Sequence, residues 1–573
     1  MFHCKSMKKW GDILQRSTNR RRYIDILRVV AHSTGTWTES KEFARRNPET
    51  PLYMHMHRLI KITAIALSST LFAAAQGTTA AGSQGIPRTA DGKPDMQGIW
   101  QATGSAGADL QDHVASLNMP AGRSVVAGGV IPYQPWAAKK KEENFKTRMK
   151  EDPLSKCYIP GVPRVMYLDF PFQIFQTPKT IALAFEWELD YRLIRMDGKH
   201  PEDLDSWMGD SRGHWEGDTL VVEVGNNNDK TWLDMAGDFH SDALHVVERY
   251  RMADRNTIQY EATLEDPKVF TKPWTIHIAL QRRLDRDRLF EYSCESEVEE
   301  ANGLFTREER TWYPGNRTAP PATDVETASN PPAAASPAAP TVANLRRTVD
   351  GKPDLQGFYE SSSAGANQVL ESRGRGRPLI VDPPGGKLPL QPWAVKERES
   401  RNLTERGYDD PTAHCFPQGV PRSLWVPQGI EFVQTRDAIA MFFERTSWRI
   451  ISMNGRAHLP GTMRLWEGDS VGHWEGDTLV VDTTNFNGKT WLNEGGDIVS
   501  YAEHVVERFT PTGPDMLNYE ATITDPVVYT RPWTVAFPMR REAKFELLEA
   551  ACHEEDRDLP HLKALKDAAA KKK

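Results

Sequence analysis

The residues with the clearest potential for chemistry occur twice in this 573-residue sequence. Segment 213–222 reads Gly-His-Trp-Glu-Gly-Asp-Thr-Leu-Val-Val, and the same ten residues recur at 472–481. A second shared segment, His-Val-Val-Glu-Arg, occupies 245–249 and 504–508. A histidine beside a carboxylate can transfer protons as a general acid or base. The candidate catalytic residues are therefore those of the first copy: His214, Glu216, His245 and Glu248.

Further polar and aromatic residues recur at matching places in the two halves. A few such groups in a mostly apolar pocket are typical of a small-molecule site. The same recurrence can also come from packing or from ion pairs that brace a fold, and the sequence leaves this alternative open. The candidate ligand-binding residues are Arg164, Glu186, Arg192, Trp232, Arg249 and Glu261.

The sequence predicts no cofactor. It contains no Gly-x-Gly-x-x-Gly or Walker loop, no His-Glu-x-x-His motif and no Cys-x-x-Cys motif. His240, Asp242 and His245 could together hold a divalent metal. The second half has Val499 and Tyr501 at the first two of these positions, and we expect no bound metal.

The elements that must position these residues are short β-strands. Glu-Gly-Asp within segment 213–222 predicts a tight turn between two strands. Segments rich in β-formers, separated by Gly, Asp, Asn and Pro, predict an antiparallel meander in each half. Charged stretches at 138–152 and 395–410 predict short surface helices. In the first half the strands are expected near 173–177, 180–188, 191–196, 213–216, 219–224, 245–252, 257–265, 274–283 and 289–294.

Cysteine spacing supports a closed sheet in each half. Cys157 and Cys294 are 137 positions apart, and so are Cys415 and Cys552. An exported chain enters an oxidising compartment, where we expect one disulfide in each repeat, with the first and last strands as neighbours. Metal ligation is the alternative, since His553 follows Cys552.

The sequence divides into two repeats and several flanking segments. Residues 54–61 are basic, and the apolar run 62–75 ends in three alanines, a pattern typical of a cleaved signal peptide. A signal anchor is the alternative. We expect the repeats to fold independently, because Pro and Ala dominate the segment between them. The predicted boundaries are 1–53 (an extension upstream of the true start), 54–81 (signal peptide and spacer), 86–315 (first barrel), 316–343 (disordered linker), 344–560 (second barrel) and 561–573 (basic tail).

Charge and hydropathy exclude two classes of partner. The first 75 residues hold 13 of the 71 Lys and Arg and 5 of the 78 Asp and Glu, which leaves a formal charge of −15 on the remainder. An acidic protein binds polyanions poorly, so no nucleic-acid partner is expected. No stretch after the signal peptide is long and apolar enough to span a membrane. The predicted location is the periplasm or the cell exterior.

Two motifs carry a resemblance to known families. The opening Asp95-Met-Gln-Gly-Ile-Trp100, followed by a strand meander, resembles the Gly-x-Trp start of lipocalins and other calycin-like barrels. The ten-residue segment and the His-Val-Val-Glu-Arg segment resemble those of a family of secreted bacterial tandem-repeat proteins of unassigned function. These resemblances imply two tandem calycin-like or lipocalin-like β-barrels in the cell envelope, and they assign no catalytic residue.

The predicted function is binding of a small aromatic or lipophilic molecule inside a barrel. A cofactor-independent lyase, isomerase or hydratase that uses His and carboxylate is an alternative, and a structural envelope protein is another. The barrel interior distinguishes these functions. A deep pocket with inward His and Glu favours the enzyme, a pocket lined by Trp and aliphatic residues favours the binding protein, and a filled interior favours the structural protein.

Overall fold

The computed structural model describes residues 85–202, 204–294, 344–361, 364–371, 379–445, 447–552 and 559–571. The predicted upstream extension, signal peptide and linker lie outside these residues.

Nine strands form the first barrel. Each strand pairs with the next along the chain, and β1 also pairs with β9, so the sheet closes on itself as predicted. Trp100 of β1 lies at the closure, opposite Phe172 of β2 and Arg282 of β9. The strands are β1 (Gly98–Ala102), β2 (Phe172–Gln176), β3 (Thr180–Phe185), β4 (Tyr191–Arg195), β5 (Asp210–Glu216), β6 (Thr219–Gly225), β7 (His245–Asp254), β8 (Thr257–Glu265) and β9 (Trp274–Arg282).

The second repeat forms a barrel of the same design. Its closing pair is β10 with β19, and the short strand β11 lies beside β19 as an addition to the ring. The strands are β10 (Gly357–Ser361), β11 (Ile380–Asp382), β12 (Gly429–Gln434), β13 (Ala438–Phe443), β14 (Ser447–Ser452), β15 (Asp469–Glu475), β16 (Thr478–Thr484), β17 (His504–Gly513), β18 (Met516–Thr524) and β19 (Trp533–Arg541).

One strand pair in each barrel departs from the predicted antiparallel pattern. β4 and β5 are parallel, and so are β14 and β15. The reason is geometric, because nine strands cannot alternate in direction all the way around a closed ring. The exception falls at the long connection between β4 and β5, which returns the chain to the end of the barrel from which β4 started.

The shared ten-residue segment forms the predicted hairpin. β5 and β6 pair with Glu216 opposite Thr219, and Gly217 in the turn has a φ of 60°, which glycine adopts without strain. Along β7 the buried residues alternate with more exposed ones, so Glu248 points inward while His245 and Arg249 point outward.

The interior of each barrel is filled by side chains from its own strands. In the first barrel the largest of these are aromatic and less than 2% exposed. A nine-stranded barrel is narrow enough for such side chains to pack across it. They are Trp100, Phe172, Tyr250 and Tyr260. Tyr519 of the second barrel is equally buried.

Three α-helices lie outside the strands in the described part of the chain. α1 (Pro135–Glu151) matches the first predicted surface helix, and α2 (Pro392–Arg401) covers the start of the second, which continues as a 3-10 turn at Thr404–Asp409. Each α-helix begins with proline, whose fixed φ suits the first turn. α3 (Leu559–Ala570) overlaps the predicted basic tail, and its Lys566 pairs with Asp409 at 2.7 Å. None of the described helices is long and apolar enough to cross a membrane.

Both predicted disulfides are present. Cys157–Cys294 and Cys415–Cys552 have Cα–Cα distances of 5.6 and 5.7 Å. They do not join the first and last strands, because the predicted strand at 289–294 is an extended tail with one bridge to Trp187. Each disulfide instead fastens this tail to the turn before β2 or β12. Closing a loop of this length stabilises by about 4–5 kcal/mol on the chain-entropy model.

The two barrels pack against each other and form one compact unit, Gln84–Lys573. The outer faces of β2–β4 meet those of β12–β14 in a shared apolar cluster that includes Phe175 and Phe442. The Trp448 indole donates to the Phe185 carbonyl at 2.8 Å, and Arg195 pairs with Glu431 at 2.9 Å. Separation of the two repeats would therefore expose this cluster to water.

Trp448→Ala should lower the free energy of unfolding by about 3–5 kcal/mol, because a large buried side chain is removed from the interface. Urea unfolding measures this loss. The control is Trp136→Ala, since Trp136 is 54% exposed on α1 and should cost about 1 kcal/mol or less. Equal losses in the two variants would contradict a buried interface.

Candidate functional site

The tail that follows each barrel's last strand contacts the other barrel. The Glu291 carboxylate, in the tail of the first barrel, accepts hydrogen bonds from the backbone N–H groups of Trp466 and Glu467. The second of these bonds is 2.9 Å long. Residues 466–467 immediately precede β15, so Glu291 fixes the approach to a strand of the second barrel.

The reverse contact exists as well. Glu549, in the tail of the second barrel, accepts from the backbone N–H groups of Trp207 and Met208 at 2.7 and 3.0 Å. These residues precede β5 of the first barrel, as 466–467 precede β15 of the second. When equivalent residues exchange contacts in this way, the two halves are related by an approximate two-fold rotation.

A cleft of about 280 Å³ opens beside the Glu291 contact. Its walls come from β1 and β2 of the first barrel, residues 287–291 of its tail, and β13–β15 of the second barrel with the segment before β15. Both barrels are therefore needed to form it. A cleft at the equivalent place, beside the tail of the second barrel, is lined by β10, β12 and residues 541–546.

Glu467 lies in the wall of the first cleft and is only 2% exposed. Its Oε1 accepts from the Gly419 backbone N–H at 3.2 Å, whereas its Oε2 has no hydrogen-bond partner among the described residues. Burial raises the pKa of Glu467 to about 7, although the positive charge of Arg449 acts in the opposite direction. The equivalent residue of the first repeat is Met208, so only one of the two clefts has this carboxyl group.

Glu291 is a second carboxyl group with a shifted pKa in the same cleft. Burial and the nearby Glu467 carboxyl raise the pKa of Glu291, the two backbone donors lower it, and the net result is a pKa of about 8. The two side chains together can bind or release protons near neutral pH. Such a pair can receive a cationic or donor-rich ligand, and it can also transfer protons.

Arg288 and Arg456 reduce the negative charge at one end of the cleft. Both pair with Asp469, at 3.1 and 2.6 Å. Burial alone would raise the pKa of Asp469, but hydrogen bonds from His458 and Arg456 outweigh it and the pKa falls well below its usual value. Asp469 therefore remains charged while Glu467 titrates.

Two of the predicted site residues, Arg192 and Glu248, meet inside the first barrel. Their side chains form a bidentate ion pair with one bond of 3.0 Å, and both are at most 2% exposed. Tyr260 and Tyr250 donate to the same carboxylate at 2.7 and 3.1 Å, and Ser211 accepts from Arg192 at 2.8 Å. The network supplies partners to both buried charges and braces the barrel from inside.

Three other predicted residues meet on the outer surface. Arg249 pairs with Glu216 at 2.5 Å, and His214 lies 3.5 Å from the same carboxylate. All three side chains are between 39% and 53% exposed, and Arg249 also lines an open groove on the outer face of β6–β9. His245 is not with them, since it lies near the start of β7 opposite Glu265.

The remaining predicted ligand-binding residues lie at several places on the first barrel. Arg164 is buried in a bidentate pair with Asp152 at 2.7 Å, and Glu186 pairs with Arg286 at 2.7 Å. Glu261 lies on the outer face of β8, opposite Arg249 of β7 and 3.4 Å from His277, and these three residues line one open groove. Trp232 is in the β6–β7 loop, bridged to Phe239. These are separate contacts at different places on the barrel.

The three residues considered for a metal site, His240, Asp242 and His245, contact different partners. His240 is buried, with Nε2 2.6 Å from the Thr231 hydroxyl and Nδ1 2.9 Å from the Ser241 carbonyl. Asp242 is exposed and pairs with Lys268 at 2.6 Å. Both ring nitrogens of His240 are therefore engaged by its own loop, and Asp242 faces solvent.

The sequence interpretation missed Glu291 and Glu467, although a signal for each was present. Glu291 and Glu549 follow leucines in matching tails, Arg-Leu-Phe-Glu and Glu-Leu-Leu-Glu. Glu467 occurs in Trp-Glu-Gly-Asp, where the first repeat has Trp-Met-Gly-Asp. A charged residue that replaces methionine within an otherwise shared segment indicates a role that only one repeat has.

Glu467→Gln should reduce the fall in stability between pH 5.5 and 7.5. The folded pKa of Glu467 is above its unfolded value, so the folded state binds the proton more tightly and loses stability as pH rises through this window. One proton corresponds to at most about 1.4 kcal/mol per pH unit. Urea unfolding at several pH values measures the slope. Glu216→Gln, at an exposed carboxylate, is the control, and an unchanged slope in Glu467→Gln would contradict the assignment.

Comparison with protein-family models finds no family that matches this chain, and comparison with curated proteins finds no match either.

Proposed function

We propose that this is an exported small-molecule-binding protein whose ligand occupies the cleft between the two barrels. The observation that carries the proposal is Glu467, a residue of the cleft wall whose buried carboxylate oxygen Oε2 lacks a hydrogen-bond partner in the described part of the chain. Leaving such an atom unpaired costs stability. A ligand donor would offset that cost, and a site of this kind fits a binding protein.

The lining favours a ligand with a positive or donor-rich end and an apolar end. Six carboxylates line the cleft against three guanidinium groups, and one of these, Arg449, already pairs with Glu507. Apolar contact is available from Ile174, Leu289 and Ile450. The carboxylates are Asp95, Asp287, Glu291, Asp437, Glu467 and Asp469. The aromatic or lipophilic part of the predicted ligand fits the apolar wall, and an amine fits the acidic one.

Export is supported by the two disulfides, which form and persist in oxidising compartments. It also agrees with the signal-peptide pattern at 54–81 and with the resemblance of the repeated motifs to a family of secreted proteins. The duplicated barrel acts in this proposal as a scaffold, since its interiors are filled and the ligand site is formed by the contact between the copies.

Proton transfer is a second function that one observation favours. Glu291 and Glu467 have pKa values of about 8 and 7 and share one cleft, so one can be protonated while the other is charged. A lyase or isomerase needs such an acid and base. The carboxylate pair would then perform the role that the sequence analysis gave to His214 and His245.

The binding proposal predicts that 2-phenylethylamine binds more tightly than phenylacetate, which has the same ring and the opposite charge. Binding of the amine should strengthen between pH 6 and pH 8, because Glu467 becomes charged in this range. Ligand-observed NMR titration measures both affinities. Glu467→Gln should weaken amine binding at pH 8 by about tenfold, as expected when one charged hydrogen bond of about 1.5 kcal/mol is lost.

The matched control is Glu216→Gln, which removes an exposed carboxylate on the outer face of the first barrel and should leave amine binding unchanged. Equal affinity for the amine and the carboxylate, or full amine binding by Glu467→Gln, would refute the proposed site.

A further inference from the structure

A cluster of three aspartates at one end of the first barrel is separate from the cleft. Asp109 follows β1, and Asp234 and Asp238 lie in the loop between β6 and β7. Each offers a carboxylate oxygen, and these three oxygens lie within 4.8 Å of one another. Asp234 and Asp238 are fully buried, and Asp109 is 9% exposed.

Most of the carboxylate oxygens in the cluster have ordinary partners. Asp234 accepts from the backbone N–H groups of Leu110 and Asp238, at 2.9 and 3.0 Å. The Tyr133 hydroxyl donates to Asp238 Oδ1 at 2.7 Å. These bonds hold the side chains in place but supply no cation.

One carboxylate oxygen of the cluster is unpaired. Asp238 Oδ2 is buried and has no hydrogen-bond partner within the residues that the structure describes. The nearest ammonium, Lys141 Nζ, lies 3.8 Å from the other oxygen, Oδ1. Three buried carboxyl groups beside a single lysine leave negative charge that the low-dielectric interior does not tolerate without a counter-ion or a proton.

The second repeat shows how the same frame is satisfied by the protein's own side chains, one of which is Arg398, 3.5 Å from Asp497. Asn493 occupies the position of Asp234, and Asp497 that of Asp238. The Asn493 amide donates to Asp497 Oδ2 at 2.7 Å, and its oxygen accepts from the Asp497 backbone N–H at 3.2 Å. The N–H donor that serves Asp497 Oδ2 is therefore replaced in the first repeat by a carboxylate.

We propose that a divalent, oxygen-preferring cation of the Ca²⁺ class binds between Asp109, Asp234 and Asp238. Carboxylate oxygens are the preferred ligands of such ions, at 2.3–2.6 Å for Ca²⁺, so two ligand oxygens on opposite sides of one ion lie about 5 Å apart. The three carboxylate oxygens lie within 4.8 Å of one another, so a single Ca²⁺ ion can contact all of them. The ion would fasten the segment after β1 to the β6–β7 loop, and only the folded state would bind it.

The test is thermal unfolding of the full chain after treatment with EDTA and its removal, with and without millimolar CaCl₂ or MgCl₂. A ligand that binds only the folded state raises the unfolding temperature, and we expect a rise of at least about 3 °C with Ca²⁺. Titration calorimetry with CaCl₂ should show one site per chain, because the second repeat has Asn493.

Asp234→Asn reproduces the residue of the second repeat and should abolish both the temperature shift and the calorimetric site. Asp242→Asn, which changes an exposed aspartate of the same loop, should retain both. No response of the unaltered protein to either cation, or an equal response in Asp234→Asn, would overturn the proposal. A stability that rises on acidification and ignores both cations would also overturn it, because a shared proton would then occupy the cluster.

Discussion

Four backbone N–H groups, two in each barrel, donate to carboxylates that belong to the other barrel. A buried N–H group needs an acceptor, so a barrel alone would leave the donors of residues 207–208 or 466–467 without their present partners. The exchange explains why the tails leave their own sheets. It also gives each disulfide a role, because the bond fastens the tail three residues beyond Glu291 or Glu549 and so helps to hold that carboxylate in place.

The clefts follow from the same exchange. Two convex barrels can be in close contact only over part of their surfaces, here β2–β4 against β12–β14, and the tails bridge the gaps that remain. The cleft with Glu467 differs from its counterpart by a carboxyl group in place of Met208. After duplication, one copy of a pair of equivalent sites can change its chemistry while the other keeps the packing. The aspartate cluster of the first barrel is a second example of such a change. In the second barrel, Asn493 at the equivalent position forms two hydrogen bonds with Asp497.

The sequence was informative where one residue pattern determines one local structure. The repeated Glu-Gly-Asp turn, the equal cysteine spacing and the inward position of Glu248 relative to His245 all follow from local rules. The contact between the barrels joins surfaces that are far apart in the chain, but the sequences of two strands indicate it. β3 (Thr-Ile-Ala-Leu-Ala-Phe) and β13 (Ala-Ile-Ala-Met-Phe-Phe) are buried at every position. A continuous apolar run indicates a strand covered on both faces. Most of the recurring polar residues are paired within their own barrel, so their recurrence in the sequence does not by itself separate a ligand site from ion pairs that stabilise the fold.

The most direct test of the account is whether the barrels remain together once the chain between them is cut. A specific protease site placed within 316–343, cleaved under non-reducing conditions, leaves the disulfides and both barrels intact. Gel filtration of the cleaved protein should give one particle of the size of the uncut chain, because the shared apolar cluster and the four exchanged hydrogen bonds hold the halves together. Separation into two stable, folded fragments would contradict the account and would remove the basis for a ligand site between the barrels.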